Sequence, residues 1–223
     1  MRRLPIALFL ILLAVPAYAH DYKEGLAAFR LGDYTTAVEA WRKAAEEGDA
    51  KAQNNLAGMY DAGVGVTQSY TEAVRWYRRA GDQGLVWAQL NLAHMYREGH
   101  GIAQDYSEAA RWYLRAALSD FDLAQANLGW MYLNGLGVKQ DDRVAVRWYR
   151  RAAEQGNVEA QNNLGVLYAT GRGVPHDDVQ AYFWFTLAAA EGYPDAARNR
   201  DLTAEKMSPE QLDEATRAIG GGY

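Results

Sequence analysis

A chain of 223 residues that is 49% hydrophobic is long enough to be held together by its own core. Its formal net charge of −5 argues against nucleic acid or an anionic membrane surface as the main partner. With no cysteine anywhere, disulfides and lipoprotein anchoring are both excluded, and stability has to come from packing.

The first nineteen residues differ in kind from the rest. Arg2 and Arg3 precede an apolar run from Ile6 to Val15, which is too short to span a bilayer comfortably. Ala17-Tyr18-Ala19 then supplies a small-residue cleavage site. Residues 1–19 therefore read as a secretory signal peptide cleaved after Ala19, with an uncleaved anchor as the alternative. The expected mature product is periplasmic or secreted, has no membrane insertion after cleavage, and is more acidic than the precursor.

Residues 20–51 form a variant unit. Gly25, Gly32, Tyr34, Ala37, Trp41 and Ala44 keep the phase of the later units, with a shorter turn. From residue 52 to 195 one sentence is spoken four times, beginning at Ala52, Ala88, Ala124 and Ala160 with a constant spacing of 36. In each unit Ala, Leu, Met (or Leu) and Tyr, as in Ala124, Leu128, Met131 and Tyr132, fall on one stripe of a helix. Gly-x-Gly then stops the helix, as at Gly135 and Gly137.

Ser69, Asp105 and Asp177 each precede Glu or Gln by three residues, the capping-box spacing; Asp141 keeps the cap but has Val144 in the reciprocal place. A second helix comes next, with alanines and large aromatics at helical spacing, as in Ala109, Trp112, Tyr113 and Ala116. Gly84, Gly156 and Gly192 end three of these helices, and Asp120 stands in the fourth. Beyond Asp195 the pattern decays. Residues 196–203 could make a further first helix, and Ser208-Pro209-Glu210-Gln211 starts another, so residues 196–223 read as a helical cap.

The pattern AQ-x-NL-[AG]-x-[ML]-Y, G-x-G-[VI], A-x-x-W-[YF]-x-x-A resembles the Sel-1-like repeat, a subclass of the tetratricopeptide repeat family; the unit at 20–51 resembles an ordinary tetratricopeptide repeat. The resemblance implies an all-α fold: a right-handed α-solenoid of antiparallel helix pairs, whose concave face is built mainly by first helices. It also implies adaptor roles, in secretion, polysaccharide export, motility and stress signalling.

Candidate chemistry is sparse. The Gly-x-Gly loops follow helices rather than strands, so they read as turns and not phosphate cradles. His20, His94, His100 and His176 lack metal-ligand spacing. Some cysteine-rich relatives of the family are described as binding or hydrolysing β-lactams, but no serine here has lysine three residues on. Arg75, Arg79, Arg111, Arg115, Arg147 and Arg151 form either two basic ladders or a solvated outer face with local pairs Glu72–Arg75 and Glu108–Arg111. The repeated Asn55, Asn91, Asn127 and Asn163 suggest a structural role, such as bonding the neighbouring unit's backbone.

Positions that vary between units carry more information about binding. Trp87 and Trp130 lie on adjacent first helices, outside the shared pattern. A partner-binding groove is expected between them, lined by Leu90, Leu133 and Val166 with His94 and Arg97 at its edge. The alternative is that Trp87 packs under a loop and Trp130 fills a local gap. The expected function is a non-enzymatic scaffold or adaptor that binds protein, needs no cofactor or metal, and is monomeric. A hydrolase related to the β-lactam-binding proteins and a structural subunit of an envelope complex are the alternatives.

Overall fold

The structure is a computed structural model and describes residues 18–221. The expected leader lies outside the described residues except for Tyr18 and Ala19, which open the first helix. The described residues form twelve helices and no strand: α1 (Tyr18–Arg30), α2 (Tyr34–Glu46), α3 (Ala50–Ala62), α4 (Tyr70–Asp82), α5 (Val86–Glu98), α6 (Tyr106–Leu118), α7 (Asp122–Asn134), α8 (Asp142–Glu154), α9 (Val158–Thr170), α10 (Asp178–Ala190), α11 (Ala196–Ala204) and α12 (Pro209–Gly220). Each first helix packs on its own second helix, and each second helix on the next first helix, from α1 through α11. The result is an α-solenoid. α12 breaks the rule and rests on α10.

The helices begin and end where the sequence indicates. Ser69, Asp105, Asp141 and Asp177 each accept a bond from a first-turn N–H, which satisfies donors that a helix leaves orphaned. The reciprocal leg of the box is made at Ser208 and Gln211. At Ser69 and Asp105 it is replaced: Glu72 turns to Arg75 at 2.6 Å and Glu108 to Arg111 at 2.5 Å. An exposed carboxylate gains more from a nearby guanidinium than from an N–H already bonded in the loop.

Alanines make the close approach possible. Ala37, Ala73, Ala109, Ala145 and Ala181 are fully buried on successive second helices. Trp76 and Trp112 are buried, and Trp112 lies against the preceding unit: a Cβ on Gly81 would sit 3.2 Å from its ring. The core runs in two stretches, one from α1 into α7 and one from α7 to α10.

The units are locked by bonds that the sequence pattern conceals. Buried Gln53, Gln89, Gln125 and Gln161 donate to the carbonyls of Ala45, Gly81, Ala117 and Ala153, at 3.0, 3.0, 3.3 and 3.2 Å. Each carbonyl lies in the last turn of the preceding second helix, where intrahelical donors run out. The backbone-bonding role expected of asparagine thus belongs to glutamine. A second rung joins Arg42 to Tyr60 at 3.0 Å, Arg78 to Tyr96 at 2.6 Å, and Arg150 to Tyr168. Leu114 interrupts this ladder.

Candidate functional site

The varied first-helix positions share one face of the array, but they do not form the single groove expected between the two tryptophans. Trp87, 53% exposed in the first turn of α5, packs edge-on against Phe121 with ring centroids 4.7 Å apart. Phe121 is the residue before α7, so the partner of Trp87 is the inter-unit turn and not Trp130. Leu90 is buried in the core and lines no surface groove. It shares the buried side of α5 with Gln89, Leu92 and Ala93, whereas Trp87 and His94 on the same helix stay exposed. Leu133 is half-buried against the second core stretch, and its carbonyl accepts bonds from Gln140 and Arg172. Val166 is exposed on α9.

Three of the expected residues do meet. The Arg97 guanidinium lies 3.0 Å from His94 Nε2, donates to Asn127 Oδ1 at 3.0 Å and to Glu98 at 2.8 Å, and stands 5.8 Å from the Trp130 ring centre. Arg97, Asn127 and Trp130, with Ala126 and Glu159, surround a small cavity of about 220 Å3. Burial, followed by the Arg97 charge, holds the His94 imidazole below its ordinary pKa, which keeps it neutral. Beneath, burial pushes the Tyr113 phenol up to about 12. Sequence alone does not single out Asn127 and Glu159 as site residues. Asn127 recurs in every unit and so looks purely structural, while Glu159 stands at the varied position that Trp87 fills and is passed over when only bulky anchors are sought.

A second cavity on this face, of about 500 Å3, lies between α1, α3 and α5, beside Gly58. It escapes sequence analysis because glycine within a helix carries no side-chain chemistry. A third, of about 480 Å3, lies under α12 against α8, α9 and α10.

The second helices carry the arginines differently from a bare basic ladder. Arg75 and Arg79 lie over Trp76 at 4.5 and 4.8 Å, Arg115 over Trp112 at 4.3 Å and Arg151 over Trp148 at 5.2 Å. Arg115 also approaches Asp82, and Arg151 approaches Asp120. These cations cover core tryptophans and pair between units, which matches the solvated-face reading.

Among the described residues, no group of three or more His, Asp or Glu could hold a metal ion, and no helix is long and apolar enough to cross a membrane.

A linear stack of helix pairs with a shared packing code and an unshared first-helix face places the protein among the α-solenoid repeat proteins. The chain belongs to the Sel1 repeat family: the family model matches residues 17–49, 50–85, 88–121, 122–157 and 158–193. It is similar to the crystal structure of c5321, a protective antigen of uropathogenic Escherichia coli with an SLR fold, at 32% identity and a TM-score of 0.82, covering 92% of this chain. It spans about half of that protein, 46%. It is also similar to a Sel1 repeat protein from Oxalobacter formigenes, at 36% identity and a TM-score of 0.73, covering 83% of this chain and 76% of that one. Immunity protein Pa5087 from Pseudomonas aeruginosa shares the fold at 21% identity and a TM-score of 0.51, covering 92% of this chain and 81% of its own. A comparison with curated proteins returned no match. Sel1 repeat proteins mediate protein–protein interactions.

Proposed function

We propose that this chain is a non-enzymatic adaptor of the bacterial cell envelope, exported by its leader, that captures a partner protein on the first-helix face of α5, α7 and α9. The observation that carries this reading is the exposure of Trp87 and Trp130, 53% and 36%, at positions where packing does not ask for an aromatic. The equivalent residues in other units are Lys51, Leu123 and Glu159 for the first, and Gly58, His94 and Val166 for the second. A residue needed for stacking recurs, as the fully buried Leu56, Leu92, Leu128 and Leu164 do. Large rigid rings exposed at non-stacking positions are the usual anchors of an interface. Arg97 stands 5.8 Å from the Trp130 ring centre and offers a charge beside it.

The experiment is a pull-down from the envelope fraction with wild-type, Trp130→Ala and Leu133→Ser chains, each first shown to be folded by circular dichroism. Losing an anchor of this kind costs about 2 kcal/mol of binding, roughly thirtyfold in Kd. Folded variants that keep full affinity move the site away from this face. Mass spectrometry of the exported product tests the leader: a mature N-terminus at His20 supports it, and an intact Met1 in the cytoplasm refutes it.

A further inference from the structure

Gly58 is anomalous among the helical glycines of this array. Gly129 and Gly165 have to be glycine, because a Cβ would come within 3.1 Å of the Tyr149 ring and 2.7 Å of the Phe185 ring. A Cβ at Gly58 would find ordinary van der Waals distance, 3.7 Å from the Tyr77 hydroxyl, and its backbone is not left-handed. Glycine inside a helix lowers stability relative to alanine, so this one has a cost without a packing reason. Later units put His94, Trp130 and Val166 in the same place.

The omission opens the cavity of about 500 Å3, and the chemistry of its wall is specific. In a chain that is 23% charged, no charged side chain among the described residues lines it. Asp61, three residues on from Gly58, exerts its field on Tyr77 without joining the wall. The half-exposed Phe29 ring forms an apolar side, 5.5 Å from Trp41 and 5.4 Å from Tyr34 between centroids. Opposite stand three amides. Asn91 donates to Asn54 through a long 3.4 Å bond, and among the described residues neither the Asn55 amide nor the Tyr77 hydroxyl has a hydrogen-bond partner. Most of the donors and acceptors of these four residues remain available.

We infer that this cavity is a peptide-binding pocket, taking one uncharged aromatic side chain together with the extended backbone on either side of it. An uncharged wall rejects a charged group, which would lose its hydration without a partner. A ring fills the space against Phe29 where Gly58 leaves room. The amides of Asn54, Asn55 and Asn91 need backbone N–H and C=O groups, which an extended segment offers and a helix has already used internally. The pocket is larger than a single side chain needs, which leaves space for the flanking backbone. The proposal rests on reading the first-helix face as the binding surface, and adds a site at its N-terminal end.

The test titrates N-acetyl-phenylalanine methylamide and N-acetyl-tyrosine methylamide into the isotope-labelled full chain, following the side-chain amide resonances by NMR. Saturable shifts at Asn54, Asn55 and Asn91 are expected, with affinity at least tenfold weaker in Gly58→Leu, which fills the space, and unchanged in Trp130→Ala. Should Gly58→Leu fail to fold, Gly58→Ala and Tyr77→Phe decide instead, and each is expected to weaken binding at least threefold. The proposal is overturned by any of three results. One is no shift up to about 10 mM, a range that covers so small a ligand. Another is undiminished binding in the Gly58 and Tyr77 variants. The third is equal or better binding of N-acetyl-glutamate methylamide, N-acetyl-lysine methylamide or N-acetylglucosamine. Because Trp130→Ala is read separately in the pull-down, loss of the Trp130 anchor and loss of this pocket are distinguishable.

Discussion

Each repeat contains two turns, and both pass through a left-handed residue, yet their surroundings differ. In the turn within a unit, Gly137 has φ 68°, and a Cβ there would collide with the Tyr106 carbonyl on the preceding second helix. Gly65, Gly101 and Gly173 stand in the same relation to the backbones of Tyr34, Tyr70 and Asp142. In the turn between units, Gly156 has φ 87° and nothing within 4 Å. There the chain also tolerates Asp120 at φ 60°, whose carboxylate accepts from Gln125, Arg151 and Gln155. The two turns share a conformational need, but only the inner one has a spatial need. The inner loop is the clasp by which each unit grips its predecessor, and the outer turn is only a reversal.

Trp112→Ala sets the scale for this comparison, because Trp112 is buried against Gly81 across the unit boundary that Gly101 clasps at Tyr70. Loss of about 3–5 kcal/mol is expected in a thermal or urea melt, as for a buried aromatic. Gly137→Ala should come next, at about 3 kcal/mol, combining about 1–2 for an L-residue in the left-handed region with about 1–3 for overpacking against Tyr106. Gly156→Ala carries only the conformational part, about 1–2 kcal/mol. Equal losses at Gly137 and Gly156 would dissolve the distinction between clasp and reversal.

The smallest expected effect separates one clasp from the other three. Asp142 stands where Tyr34, Tyr70 and Tyr106 stand, and Arg172 binds it at 2.7 Å. The Arg172 hydrogen bond holds the Asp142 carboxyl below the usual carboxylate range. A depressed folded-state pKa stabilises above the unfolded value of about 3.9 and is lost as pH falls through the folded one. Asp142→Asn should therefore melt lower than wild type at pH 7, by about 0.5 kcal/mol for so exposed a pair. The two curves should converge as the pH drops through the acid range below about 4. A gap that persists in acid would mean that the aspartate acts through its shape and not its charge.

Much of this molecule was legible in one dimension. A constant period, an apolar stripe at helical spacing and a capping residue before each second helix are local properties, so the helix pairs and their stacking follow from residues close together in the chain. The second glycine of each Gly-x-Gly is a different matter. It looks like part of a helix stop, and its reason is a carbonyl about thirty residues back, visible only when the units pack. The glutamine after each opening alanine was equally visible as a repeat and equally silent about its role, because its acceptor belongs to the preceding helix.

The candidate site divides along the same line. That Trp87 and Trp130 depart from the pattern is a fact of the sequence. That Trp87 turns to Phe121, that Leu90 sinks into the core and that Arg97 gathers His94, Asn127 and Trp130 are facts of three-dimensional packing. The sequence by itself determined the unit and its helices, because those rest on contacts within about one turn of helix or one period of the chain. Tertiary structure alone decided which varied side chains share a surface and where a missing one leaves a cavity. A side chain's neighbours across two stacked helices are set by the angle and distance of packing, and no spacing along one chain encodes those.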